Sequence, residues 1–188
     1  MNSAENLPIK PNPELKCPPE ILDKQVALSI KFYGFDGQYH DGIIEINRLV
    51  VDDIEQFFAM AIKLKFPIEK VSPASNTLYE WNDEQLMMAN VSSGFNYRLV
   101  AGTDNVSLHG QGLAFDINPI QNPYIRYKNG QVIVAPKSAT WEPGMPGTLT
   151  SNHPLVILMK EKNWEWGGDW KVESGRIDYQ HFQKQINL

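Results

Sequence analysis

Between residues 51 and 65 apolar side chains recur at the helical interval. Ile54, Phe57, Phe58, Ala61 and Leu64 form one stripe, which predicts an amphipathic helix over Val51–Lys65 with that stripe in the core. Asp52 and Glu55 near its start have capping-box spacing. Elsewhere the pattern alternates. "KQVALSIKFYGF" predicts a first strand within Ile21–Phe35, and Ile43, Ile44 and Ile46 predict a second over Gly42–Leu49. Tyr97–Gly102 and Leu113–Ile117 also read as strands. Ile125–Tyr127 and Val132–Ala135 flank Asn129–Gly130, the strongest short-range hairpin signal. Gln85–Ala89 reads as a short helix, and Pro154 opens another over Leu155–Lys162. "SATWEPGMPGTLTSN" between them is a long loop. Strands and helices mix without regular alternation, so the expected class is α+β, a small and mainly antiparallel sheet flanked by helices. Residues 1–20 hold five prolines and little apolar pattern. They read as an extended or disordered arm, leaving 21–188 as a single domain.

Composition narrows the function classes. The chain has 188 residues, 42% hydrophobic and 21% charged, with a net charge of −5. No Lys/Arg cluster stands out, which argues against a nucleic-acid partner, since phosphate binding needs concentrated positive charge. No apolar run approaches the roughly 18 residues of a membrane span. Cys17 is the one cysteine, so no internal disulfide forms. The first twenty residues lack the apolar centre of a signal peptide. Nothing in the pattern speaks to oligomeric state.

The candidate chemistry starts at "SLHGQGLAFDINP", residues 107–119. His109 and Asp116 stand seven apart on a turn followed by a strand. Alternation puts Ala114 and Asp116 on one face and Leu113, Phe115 and Ile117 on the other, in the core. A catalytic zinc takes three ligands from His, Asp, Glu or Cys and keeps a fourth position open. The chain has four histidines. His181 in "IDYQHF" is the best third ligand, because Asp178 comes three residues before it and a hydrolytic site needs a carboxylate to move a proton. His40 reads as an exposed-turn residue and His153 as a helix start. Plain alternatives exist: Asp116 as a buried aspartate satisfied by backbone N–H groups, His109 as a surface or hydrogen-bonding residue, His181 as a histidine at the edge of the core.

Taken together and in order, Ser107-x-His109-x2-Gly112-x-Ala114-x-Asp116, then Trp164-x-Trp166-Gly167-Gly168 and Asp178-x2-His181-Phe182, resemble the zinc D-alanyl-D-alanine carboxypeptidase/dipeptidase family. That family includes L-alanyl-D-glutamate endopeptidases of phage endolysins and shares its zinc-site plan with the hedgehog signalling domain. "FNYR", Phe95–Arg98, resembles the strand that carries the family's active-site arginine. The resemblance covers roughly residues 45–183. It implies a hedgehog/DD-peptidase-like fold with zinc held by His109, Asp116 and His181. It also implies Asp178 as general base and then acid, and Arg98 beside the developing oxyanion. Ser107 would support the metal site by hydrogen bonding, and Trp166 would support it or wall the substrate groove. The implied substrate is a peptidoglycan stem peptide, cut as by a D-Ala–D-Ala carboxypeptidase or, alternatively, at L-Ala–D-Glu; such a substrate implies a location at the cell envelope or outside the cell. The hedgehog likeness keeps a third reading in view, a binding module with an idle zinc site. Whether the long loop 136–152 covers one end of the cleft would bear on which bond is cut.

Overall fold

The computed structural model describes residues 4–5, 8–100 and 103–186. Its elements run in chain order as β1 (Ala4–Glu5), α1 (Pro19–Leu22), β2 (Gln25–Tyr33), β3 (Tyr39–Asn47), α2 (Val51–Leu64), β4 (Lys70–Val71), α3 (Asp83–Met88), β5 (Val91–Ser92), β6 (Ala114–Asp116), β7 (Tyr124–Lys128), β8 (Gln131–Ala135), α4 (Pro154–Glu161), β9 (Glu165–Trp166), β10 (Arg176–Asp178) and β11 (His181–Gln183). The class is α+β. Instead of one sheet, the described residues form three small antiparallel sheets, ordered β1-β2-β3, β10-β7-β8 and β6-β11-β9, plus a parallel β4-β5 pair. No described helix is long and apolar enough to cross a membrane.

The long β2–β3 hairpin and α2 build the base of the molecule. Leu28, Ile30, Ile44 and Ile46 from the strands meet Ile54, Phe57, Phe58 and Ala61 from the helix, all buried. Leu64 departs from the expected stripe and is 41% exposed, because it lies in the last turn and Lys65 then leaves the helix in a left-handed conformation. The helix start also differs from the capping-box expectation. α2 continues a 3-10 turn, Arg48–Val50, whose cap is Asn47, and Asp52 already lies in the first helical turn. There its charge favours the N-terminal dipole without capping.

Above this base, Phe115 of β6 stacks on Phe182 of β11 at 5.0 Å, and Phe57 of α2 packs edge-on against both. Leu113, Phe115 and Ile117 are fully buried, as the alternation requires. The β6-β11-β9 sheet is thereby anchored through its apolar face, and its other face is free to carry chemistry. Removing one such ring would cost roughly 3–5 kcal/mol.

Three local expectations are corrected. The predicted first strand begins later, because Pro19 opens the short helix α1. Tyr97–Gly102 is not a strand where described: residues 97–100 make only a Leu99–Val106 bridge, and Ala101 and Gly102 lie outside the described residues. His40 is not in a turn. It sits within β3 opposite Phe32, exposed and paired with Asp36 at 3.0 Å. The Asn129–Gly130 hairpin forms as expected, both residues with positive φ.

Candidate metal centre

β6 and β11 pair so that His181 lies directly opposite Asp116 and Gln183 opposite Ala114. Strand alternation puts His181 and Gln183 on the polar face and sends Phe182 between them into the core. His109 arrives from a separate element, the 3-10 turn His109–Gln111. Two glycines make that approach feasible. A Cβ on Gly110 would stand 2.9 Å from the Arg98 carbonyl oxygen, and one on Gly112, whose φ is +67°, would stand 2.7 Å from the Asn47 nitrogen. Ser107 Oγ accepts the Gly110 N–H at 3.0 Å. It holds the turn that carries His109 and makes no hydrogen bond to His109, Asp116 or His181 side chains among the described residues.

Three side-chain atoms converge. His109 Nε2 and His181 Nδ1 are 3.1 Å apart, and Asp116 Oδ1 lies 3.0 Å from His181 Nδ1 and 3.3 Å from His109 Nε2. Ligands about 2.0–2.1 Å from a tetrahedral ion stand about 3.3 Å from one another, so this triangle has the size of one face of a zinc tetrahedron. The outer hydrogen bonds decide what the triangle presents. His109 Nδ1 faces the Gly94 carbonyl oxygen at 2.8 Å and so must donate to it. His181 Nε2 faces Gln183 Oε1 at 3.1 Å, and Gln183 Nε2 donates to Glu165 at 2.6 Å, which fixes the amide's orientation. With both outer nitrogens donating, the imidazoles in their neutral form turn lone pairs toward Asp116, and in their protonated form they donate to it. In the neutral form three acceptors meet with no donor between them, and a cation is what such a set fits.

Burial raises the Asp116 carboxyl, but the charges and hydrogen bonds of His109 and His181 outweigh it and hold the group far below the usual carboxylate range. Burial lowers His181, yet its bond and attraction to Asp116 raise it overall. A proton and a metal therefore compete for the same corner.

Asp178 closes β10, and a two-residue turn, Tyr179–Gln180, leads to His181 on the next sheet. The i, i+3 pair is thus joined by a strand-to-strand turn and not by a helix. Asp178 Oδ1 is buried with no hydrogen-bond partner among the described residues. Burial, reinforced by the Asp116 charge and opposed by the imidazoles, pushes Asp178 up to about 6. Gly167 packs directly against it: a Cβ there would come within 2.9 Å of the Asp178 Cβ. Gly167 is therefore a requirement of close approach to Asp178, and Gly168 of close approach to the Trp166 ring. Trp166 is 2% exposed and faces the core, and its Nε1 donates to the Tyr179 carbonyl at 2.8 Å. It braces the Asp178–His181 turn and does not line the cleft. Trp170 does line it.

Arg98 lies on an irregular extended segment, not on the strand the "FNYR" likeness implies. Its Nε pairs with Asp83 of α3 at 2.7 Å, and Asp83 also accepts from Asn96 at 2.7 Å. Arg98 Nη1 is buried without a partner among the described residues. His109, Asp116, His181, Asp178, Arg98 and Ser107 all line one cleft of about 620 Å³. None of its lining residues comes from the 136–152 loop. That loop packs behind the site, where Trp141 stacks on Tyr179 at 4.2 Å. Sequence reasoning missed Asp83, Gln183, Glu165 and the Gly94 carbonyl. Of these only Gln183 carried a signal, two residues after His181 on the same strand face.

Residues 101–184 match the family model described as D-alanyl-D-alanine carboxypeptidase. This match supports the zinc peptidase family that the two motifs resemble, and with it a hydrolase of the metallopeptidase kind. No curated protein and no solved structure matches the chain.

Proposed function

We propose that the protein is a zinc-dependent peptidase that hydrolyses peptidoglycan stem peptides, in the manner of a D-Ala–D-Ala carboxypeptidase. The observation that carries this reading is the triangle of His109, Asp116 and His181, with two buried atoms that have no hydrogen-bond partner among the described residues, Asp178 Oδ1 and Arg98 Nη1, in the same cleft. Zinc bound there would lower the pKa of water and polarise the substrate carbonyl. Asp178 Oδ1 accepts the proton of the attacking water as its oxygen adds to the carbonyl carbon. It then gives that proton to the amine as the C–N bond breaks. A carboxyl whose burial holds it near 6 is suited to both transfers near neutral pH. Arg98 Nη1 donates to the carbonyl oxygen as negative charge develops, and Asp83 fixes the guanidinium beforehand, so little reorganisation accompanies reaction. Such a substrate lies outside the cytoplasm, which puts the site of action at the cell envelope or beyond.

One observation favours the endopeptidase reading of the same chemistry. The cleft stays open past Trp170 and Arg176 into a further groove, and a peptide extending on both sides of the scissile bond needs such an opening. Mass spectrometry of a stem peptide incubated with zinc-loaded protein separates the readings. Loss of the terminal alanine marks the carboxypeptidase, and cleavage between L-Ala and D-Glu marks the endopeptidase. Asp178→Ala keeps zinc and loses turnover if the site is catalytic. No cleavage of either bond by zinc-loaded wild-type protein overturns both and leaves the idle binding module.

A further inference from the structure

The cleft shares Val100, Tyr124, Trp170, Arg176 and Gln183 with an adjoining groove of about 1000 Å³. Among the described residues, that groove is lined by four cations, Arg126, Lys128, Lys171 and Arg176, against one carboxylate, Glu173. The chain as a whole is acidic, at −5, so this concentration runs against its average. None of the four forms an ion pair among the described residues. Arg176 and Arg126 are direct cross-strand partners on β10 and β7. Like charges in that position repel and cost stability, a cost that an anion seated between them removes. The Arg176 guanidinium lies 4.7 Å over the Trp170 ring, which holds the cation in place at the mouth of the cleft. Arg176 also stands two residues before Asp178 on one strand. Alternation puts both on the same face, roughly 6–7 Å apart, which is about two residues of extended peptide.

We propose that this groove is a subsite for substrate carboxylates, seating an anionic stretch of peptide that begins within about two residues of the scissile bond. The inference rests on the reading of the neighbouring cleft as the peptidase site. It makes free carboxylates on the peptide a determinant of specificity, read by charge-assisted hydrogen bonds from the two arginines and by the field of the two lysines.

The test compares a synthetic stem peptide running from L-Ala–D-Glu to D-Ala–D-Ala, carboxylates free, with the same peptide fully amidated. Cleavage is followed in zinc-loaded wild-type protein and in the double variant Arg126→Gln/Arg176→Gln. The wild-type preference in kcat/KM for the free-acid peptide falls about tenfold in the double variant. Calorimetric binding to both proteins in an Asp178→Asn background, where turnover is blocked, gives the same ratio as a loss of affinity. Lys171→Gln, at another residue lining the groove, lowers the preference about threefold, so the inference does not depend on one variant folding. Equal binding of the two peptides to the wild-type groove overturns the proposal, and so does an equal drop for both peptides in the variants. If neither peptide is cleaved but binding still discriminates, the catalytic reading fails and the anionic subsite stands.

Discussion

Two half-buried aspartates of this molecule have similar settings and opposite meanings. Asp53, in the first turn of α2, receives Lys184 at 2.7 Å, Trp164 Nε1 at 2.9 Å and Lys162 at 3.3 Å. Each neighbour is a donor by its chemistry, so the group is closed. It ties the start of α2 to the ends of α4 and β11. Asp116 has two neighbours at comparable distances, but their outer nitrogens already donate to Gly94 and Gln183. What they turn toward Asp116 in their neutral form is a pair of lone pairs. A carboxylate surrounded by donors is a structural pin, whereas one surrounded by acceptors is an incomplete site. Geometry around the oxygen does not separate the two; the second layer of hydrogen bonds does. Glu45 is a third case. It is 5% exposed, with Ser75 Oγ as its donor at 3.1 Å. Burial, only partly offset by Ser75 and Lys10, pushes it up to about 7.

The largest test of this contrast is metal content. Asp116→Asn takes zinc from equimolar to undetectable by elemental analysis after dialysis, while Asp53→Asn leaves it equimolar. Equal zinc content in the two variants would erase the distinction.

Next is the pH response of Glu45. The folded protein keeps its proton up to about pH 7, while the unfolded chain releases it near the ordinary value of 4.5. The folded state thus binds more protons in that window, so stability falls as pH rises through it, by about 3 kcal/mol in all. In Glu45→Gln that share of the slope disappears. Urea midpoints of both proteins at pH 5 and pH 8 measure it, and parallel slopes would contradict the assignment.

Gln183→Ala probes the outer layer itself. His181 then loses the acceptor that fixes its tautomer, and zinc affinity weakens roughly 10–100-fold, read by competition with a coloured chelator. Glu165→Gln does the same more weakly, since an amide can still hold Gln183. The smallest effect is the stability cost of Asp53→Asn, about 1–2 kcal/mol from weakened charge-assisted bonds, visible as a lower urea midpoint with unchanged zinc. A larger loss from Asp53→Asn than from Asp116→Asn would reverse the ranking of pin and candidate metal site.

The sequence by itself determined what depends on short-range periodicity and residue chemistry. The α2 stripe, the Asn129–Gly130 hairpin and the alternation that sends Phe115 inward are local consequences of 3.6- and 2-residue repeats. Because parity along β6 follows from that buried phenylalanine, the outward direction of Asp116 was legible too; the strand that carries His181 was not. The pairing of residue types that a hydrolytic metal site needs was also legible. Only the tertiary structure decided what depends on meetings across long separations. These are the clasp of Asp83 on Arg98, the Glu165–Gln183–His181 relay, the Gly94 carbonyl behind His109, and the Arg126–Arg176 pair beside the cleft. No repeat along the chain encodes such contacts; each requires two segments brought together by a shared core. The same reason explains the misreadings. Residues 95–98 have strand-like composition, but their backbone bonds go to Glu45, His109 and Ser107 in turn, and a ladder needs one partner strand, not three.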